Sequence, residues 1–107
     1  MEPVSRSLLL QLGPATLEAE HGRLIWPCPL DQESMPPLAA ALAARLDCRL
    51  GTMVEGADRL YWPLEFEGVS LRLHYEALCE SLWIQPERPD AESQAVVAFL
   101  ATLERRS

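Results

Sequence analysis

Strict alternation of apolar and polar residues marks the middle of the chain, between residues 60 and 75. The first apolar row is even-numbered and the second is odd-numbered: Leu60, Trp62, Leu64 and Phe66, then Val69, Leu71, Leu73 and Tyr75. A period of two is that of a half-buried strand. Because the pair Glu67-Gly68 separates the two rows, the pattern predicts an antiparallel hairpin with a tight turn.

The polar residues of the same segment form a second set, predicted to point away from the core and to face water. They are Glu65, Ser70, Arg72, His74 and Glu76. Since successive side chains of a strand point to opposite faces, any chemistry in this hairpin is expected to come mostly from that set.

Weaker signals predict the remaining strands. Residues 15–26 indicate a second hairpin that turns at His21-Gly22, and residues 48–55 indicate a strand with a bulge at Gly51. A last short strand is expected over residues 82–85, ended by Pro86 because proline cannot donate to a sheet ladder.

Two segments predict helices. The alanine-rich residues 38–46 are strong helix formers, and Ser34 before them is a suitable N-cap. Asp90 is predicted to cap a final helix, in which one apolar stripe recurs with helical spacing. The stripe consists of Val96, Phe99, Leu100 and Leu103.

The order of these elements is typical of an α+β fold. We expect a mainly antiparallel β-sheet of hairpins with two α-helices packed on one face. The length of 107 residues fits a single domain over 1–107, and an apolar fraction of 49% can supply its core.

The net charge of the chain argues against some classes of binding partner. A net charge of −7 argues against nucleic acid and against anionic membrane surfaces, both of which attract basic proteins. It is compatible with a basic protein partner, or with a role of the charge in solubility alone. No stretch has the roughly 20 apolar residues of a membrane helix. Because residues 1–6 also lack a basic leader, we expect a cytoplasmic protein.

All nine basic residues are arginine, and the chain has neither Lys nor Asn. Since the codons of those two residues are AT-rich, this usage favours a GC-rich bacterial genome. It also excludes Schiff-base and P-loop chemistry, which require a lysine. The three cysteines, Cys28, Cys48 and Cys79, match no zinc spacing, so free and mostly buried thiols are expected and no cofactor is predicted.

The densest polar cluster is Arg72, His74 and Glu76, on one face of the predicted hairpin. A histidine beside a carboxylate can act in acid–base chemistry or bind a metal. Ion pairing on a solvated face and contact with a partner are the alternatives. Cys79 lies five residues from His74, but no third group is evident that would orient a Cys–His pair.

Aromatic residues supply two further interaction candidates. Trp62 shares the parity of the core row. Trp83 has the parity opposite to its neighbours Leu82 and Ile84, so we expect it to be exposed or covered by a partner or a helix. Tyr61 is opposite in parity to Trp62 and is predicted to be a surface aromatic.

The motif Leu73-His74-Tyr75-Glu76, followed by Glu80-Ser81-Leu82-Trp83, resembles a family of small bacterial proteins, domain-of-unknown-function family 3630. The resemblance covers the central hairpin and the strand after it. It implies a small cytoplasmic bacterial protein, and it brings no known activity and no site residues.

Three functional hypotheses follow. The first is a small acidic, non-enzymatic interaction module that binds a basic protein or a second copy of itself. The second is a small metal-binding or hydrolytic domain built on His74 and Glu76. The third is an acidic protein of the secretion-chaperone or immunity type, an analogy of shape and charge only.

Overall fold

The computed structural model describes residues 3–56 and 59–105 and confirms the α+β class. Its helices are α1 (Pro3–Leu10), α2 (Met35–Arg45) and α3 (Ala91–Arg105). Its strands are β1 (Thr16–Glu18), β2 (Arg23–Pro27), β3 (Arg49–Leu50), β4 (Val54–Glu55), β5 (Arg59–Phe66), β6 (Val69–Glu76) and β7 (Ser81–Pro86). None of these helices is long and apolar enough to span a bilayer.

The prediction of two helices missed α1. The Leu8-Leu9-Leu10 run within it has no alternation and reads from sequence only as a short apolar segment. In the fold α1 packs against α2, which buries Leu9 and leaves Leu10 80% exposed. Tertiary contact therefore stabilises a helix that is too short to be stable alone.

The sheet has seven strands in the order β1-β2-β7-β6-β5-β3, with β4 also paired to β5, and every pairing is antiparallel. The predicted central hairpin is β5–β6. Its turn residues Glu67 and Gly68 have φ angles of 48° and 85°. Both are left-handed, as a type I′ turn requires, so the Glu-Gly pair sets the register of the hairpin.

The strand predicted over residues 48–55 is divided into β3 and β4. Both pair with β5, but the ladder is interrupted opposite Pro63, which has no N–H to donate. The Gly51 N–H instead donates to the Pro63 carbonyl at 2.7 Å. A Cβ on Gly51 would lie 3.0 Å from the Pro63 Cβ, a tight contact that favours glycine at this position.

The core lies on one face of the sheet, the inner face. It contains both predicted apolar rows of the hairpin together with Leu24, Trp26, Leu82 and Ile84. Buried residues of all three helices join the same cluster. The parity prediction for β5 and β6 is therefore confirmed.

Two details of the helices differ from prediction. Of the predicted α3 stripe, Leu100 is buried and Val96 and Leu103 pack against the core, whereas Phe99 is 47% exposed and contacts Phe66. The other buried residues of α3 are Ser93, Val97 and Ala101. Ser34 stands at the N-cap position of α2 but its side chain makes no capping hydrogen bond; it ends a 3₁₀ turn (Gln32–Ser34) that Asp31 caps. The cap at Asp90 is confirmed, because its carboxylate accepts from the Ser93 N–H at 2.8 Å.

Candidate interaction face of the sheet

The opposite side of the sheet, here called the open face, carries the polar parity of every strand and lies away from the helix-covered core. Its residues are Thr16, Glu18, Arg23, Ile25, Pro27, Arg49, Val54, Arg59, Tyr61, Pro63, Glu65, Ser70, Arg72, His74, Glu76, Ser81, Trp83 and Gln85, joined by Glu87 just after β7. All five predicted interaction residues, Arg72, His74, Glu76, Trp83 and Tyr61, belong to it.

Three of the predicted residues form one row across three strands. His74 on β6 lies directly opposite Tyr61 on β5 and Trp83 on β7. The His74 ring is stacked on Trp83, with centroids 5.0 Å apart and planes at 10°. Its centroid lies 5.4 Å from that of Tyr61, at 34°. Directly opposed residues of antiparallel strands bring their side chains this close.

Arginines cover both ends of this row. The Arg72 guanidinium lies 4.7 Å from the centroid of Tyr61, and that of Arg23 lies 5.7 Å from the centroid of Trp83. These are cation–π distances. The Trp83 indole N–H donates to Gln85 Oε1 at 2.8 Å. Arginine, aromatic and histidine side chains therefore lie flat over the sheet as one layer, which we call the aromatic layer.

The aromatic layer seals His74 from water, contrary to prediction. The side chain points outward as its parity requires, but the residue is only 7% exposed and neither ring nitrogen has a hydrogen-bond partner. Burial, and then the charges of Arg72, Arg59 and Arg23, lowers the pKa of His74 to about 4. At neutral pH the imidazole is therefore uncharged and packed like an aromatic core residue.

Trp83 also departs from prediction. It lies opposite in parity to Leu82 and Ile84, as expected, but it is only 7% exposed. Its cover within the chain comes from His74 and Arg23, which lie against it from the neighbouring strands. Tyr61, predicted to be a surface aromatic, is half-buried for the same reason.

Glu76 lies outside the aromatic layer. It faces Arg59 and Ser81 across the sheet and accepts a hydrogen bond from the Cys79 thiol at 3.5 Å. That hydrogen bond and the carboxylate charge raise the pKa of Cys79. Cys79 is therefore engaged with Glu76 and not with His74. Within residues 3–56 and 59–105, no group of three or more His, Cys, Asp or Glu side chains is placed to hold a metal ion.

The prediction of mostly buried thiols holds for two of the three cysteines only. Cys28 is buried, Cys48 is half-buried and Cys79 is exposed in the turn after β6. Burial raises the pKa of Cys28, and it raises that of Cys48 to about 11. Both thiols are therefore protonated at neutral pH and unreactive.

Charge on the open face is balanced. Its four arginines, Arg23, Arg49, Arg59 and Arg72, match its four glutamates, Glu18, Glu65, Glu76 and Glu87. Three of these pairs are in contact: Arg23 with Glu18 at 2.6 Å, Arg72 with Glu87 at 3.1 Å, and Arg49 with Glu65. The net charge of −7 therefore comes from the rest of the chain.

Sequence reasoning missed Arg23, Gln85 and Glu87 as members of this face. Arg23 and Gln85 reach it through the pairing of β2 with β7 and of β7 with β6. The only available signal was the parity of Arg23 in the second predicted hairpin. That signal places the side chain on a face without saying which strand lies beside it.

The fold and this face define a small α+β domain with a one-sided helical layer and a charge-balanced, aromatic open sheet face. A family model described as "Protein of unknown function (DUF3630)" matches residues 12–105. The chain therefore belongs to that family, as the motif around His74 indicated. No curated protein and no solved structure matches it.

Proposed function

We propose that this protein is a small non-enzymatic interaction module whose open sheet face binds a second copy of the chain. The observation that carries the proposal is the composition of that face. It combines Trp, Tyr and Arg, the residue types that dominate binding hot spots, with balanced charge in an otherwise acidic molecule.

The distribution of charge favours a second copy of the chain as the partner of the open face. Two molecules of net charge −7 repel each other through most of their surfaces. The open face carries equal numbers of arginines and glutamates, so two such faces can meet without net repulsion and can exchange ion-pair partners. A strongly basic partner would instead be attracted to the acidic surfaces outside this face.

The size of the open face supports the same occupant. Strands β5 and β6 have eight residues each, and six strands lie side by side across the sheet. At usual strand dimensions the face spans about 600 Å² in projection. A standard interface buries about 800 Å² per partner, with a lower limit near 600 Å², so the contact uses the whole face.

The experiment is sedimentation equilibrium of the wild-type chain and of Arg72→Glu over a concentration series. We expect a reversible wild-type dimer that weakens with added salt, because exposed ion pairs contribute to it. Arg72→Glu puts two carboxylates beside each other at Glu87, and we expect the dimer to weaken about tenfold or more. Arg88→Glu, with the same change of net charge outside this face, is the matched control.

A wild-type chain that stays monomeric at millimolar concentration contradicts the proposal. So does equal weakening of the dimer by Arg72→Glu and Arg88→Glu, since the effect is then one of net charge alone. Far-ultraviolet circular dichroism of each variant separates loss of the dimer from loss of the fold.

The rival hypothesis of a metal-binding or hydrolytic domain stays a prediction. The geometry supports it less well, because His74 is enclosed between two rings and has no access to a substrate. A general base must reach the proton it abstracts within hydrogen-bond distance. Metal analysis of the purified protein and an activity screen with His74→Ala test it directly.

The cellular setting we propose is the bacterial cytoplasm. Exclusive use of arginine and the absence of Lys and Asn support a GC-rich bacterial source. Three unpaired cysteines support a reducing compartment. Fractionation of the source cells, with immunodetection of the protein, tests the location.

A further inference from the structure

Exposed apolar side chains gather at one end of the sheet, where β4 meets the turn before α2. A groove of about 390 Å³, which we call the terminal groove, is lined there by Gln32, Glu33, Pro36, Met53 and Leu60. Leu60 forms its buried floor, and Met53 is 37% exposed at its wall. Apolar side chains of this size in a groove are typical of a binding site.

The β6–β7 turn closes the same end of the sheet. Tyr75 of β6 pairs with Leu60, the floor of the groove, and its hydroxyl donates to the Leu30 carbonyl at 2.9 Å. The turn that follows presents Leu78, which is 81% exposed. Glu80 in this turn has a φ of 49°, a left-handed conformation that costs energy in a residue with a Cβ.

The charge of this end differs from that of the open face. Glu33 lines the groove, and Glu55 on β4 is paired with Leu60, the floor of the groove. The ion pairs among residues 3–56 and 59–105 all lie elsewhere on the molecule. The carboxylates of Glu33 and Glu55 thus lie beside apolar surface and belong to none of those ion pairs.

We infer that the terminal groove binds a basic amphipathic segment of another protein, with a large apolar side chain seated against Met53 and flanking Lys or Arg residues facing Glu33 and Glu55. Electrostatic complementarity of this kind speeds encounter and selects the partner, while the apolar contact supplies the affinity. The inference rests on the proposed role as an interaction module, but not on the pairing of two copies.

Fluorescence anisotropy with a labelled peptide of sequence Lys-Leu-Lys-Arg-Leu-Lys-Lys-Leu tests it. We expect saturable binding, weakened about five- to tenfold by Glu33→Gln and by Met53→Ser. The first variant removes an electrostatic contact with the peptide, and the second removes an apolar contact. Glu67→Gln, in the turn at the other end of β5 and β6, and Leu10→Ser, on exposed α1, are the matched controls and should bind as the wild type does.

Three outcomes overturn the inference: no binding of this peptide, equal weakening by the groove variants and their controls, or equal binding of a peptide in which Ser replaces each Leu. The last outcome means attraction by net charge alone. Sedimentation of the same samples keeps the two proposals apart. A dimer that binds no peptide refutes the groove, and a monomer that binds the peptide refutes only the pairing of copies.

Discussion

The two faces of one sheet bury tryptophans by different means. Trp26 on β2 is 0% exposed within the inner-face core, and its indole nitrogen has no hydrogen-bond partner. Trp83 on the adjacent β7 is 7% exposed, but it is covered by side chains of the sheet itself, among them His74 and Arg23, and keeps a hydrogen bond to Gln85. Equal burial therefore does not mean equal stabilisation, because a layer of side chains can rearrange whereas a helix-covered core cannot.

Alanine substitution of one tryptophan on each face should give the largest difference in the free energy of unfolding. Trp26→Ala should cost about 3–5 kcal/mol of the free energy of unfolding, since it leaves a cavity that helices and sheet cannot close. Trp83→Ala should cost about 1–2 kcal/mol, because neighbouring side chains can settle into the space. Urea unfolding of both variants at one protein concentration measures this, and equal costs would show that the open face is packed as rigidly as the core.

The pH dependence of stability gives the second test, through His74. In the unfolded chain its pKa is near the ordinary 6.5, and in the fold it is lowered to about 4. Between these values the unfolded state binds the proton first, so stability is complete above pH 6.5 and is lost as the pH falls toward 4. The loss amounts to about 3 kcal/mol at most.

His74→Phe removes this titration while keeping a ring in the stack. Its stability at pH 7 should equal or slightly exceed that of the wild type, because no imidazole nitrogen is left without a partner. Thermal unfolding of both proteins from pH 7 to pH 4 isolates the contribution of His74, since all carboxylates are common to both. Parallel curves would mean that His74 is solvated in the fold.

The smallest expected effect concerns the ion pairs. Arg72 and Glu87 on the open face are 38% and 44% exposed, whereas Arg45 and Glu104 between α2 and α3 are 22% and 10% exposed. Double-mutant cycles should give a coupling below about 1 kcal/mol for the first pair, screened by salt, and about 1–3 kcal/mol for the second. A stronger coupling between Arg72 and Glu87 would show that the aromatic layer holds that arginine in place.

Much of the fold could be predicted because it depends on local pattern. Alternation predicted the hairpin β5–β6 and its turn at Glu67-Gly68, and Asp90 indicated the start of α3. The predictions failed where a contact distant in sequence intervenes. Pro63 on β5 interrupts the hydrogen-bond ladder with residues 48–55, so the predicted strand is divided into β3 and β4. Contact with α2 stabilises the helix around Leu9, which the local sequence does not indicate.

In the candidate site, too, local pattern predicted some features and contacts distant in sequence decided the others. Parity placed Arg72, His74, Glu76, Trp83 and Tyr61 on one face, and the fold places them there. Their burial could not be predicted, because parity gives the direction of a side chain but not the identity of its neighbours. Arg23, which covers Trp83, comes from a strand that lies far away in sequence.

The sequence by itself determined the α+β class, the faces of the central strands and the family, because each depends on residue order over short spans. Only the tertiary structure decided that β2, β7, β6 and β5 lie side by side. That pairing places His74 against Trp83 and Tyr61 and lowers its pKa to about 4. The physical reason is that a strand dictates which way its side chains point, while burial and charge depend on the neighbours that the whole fold supplies.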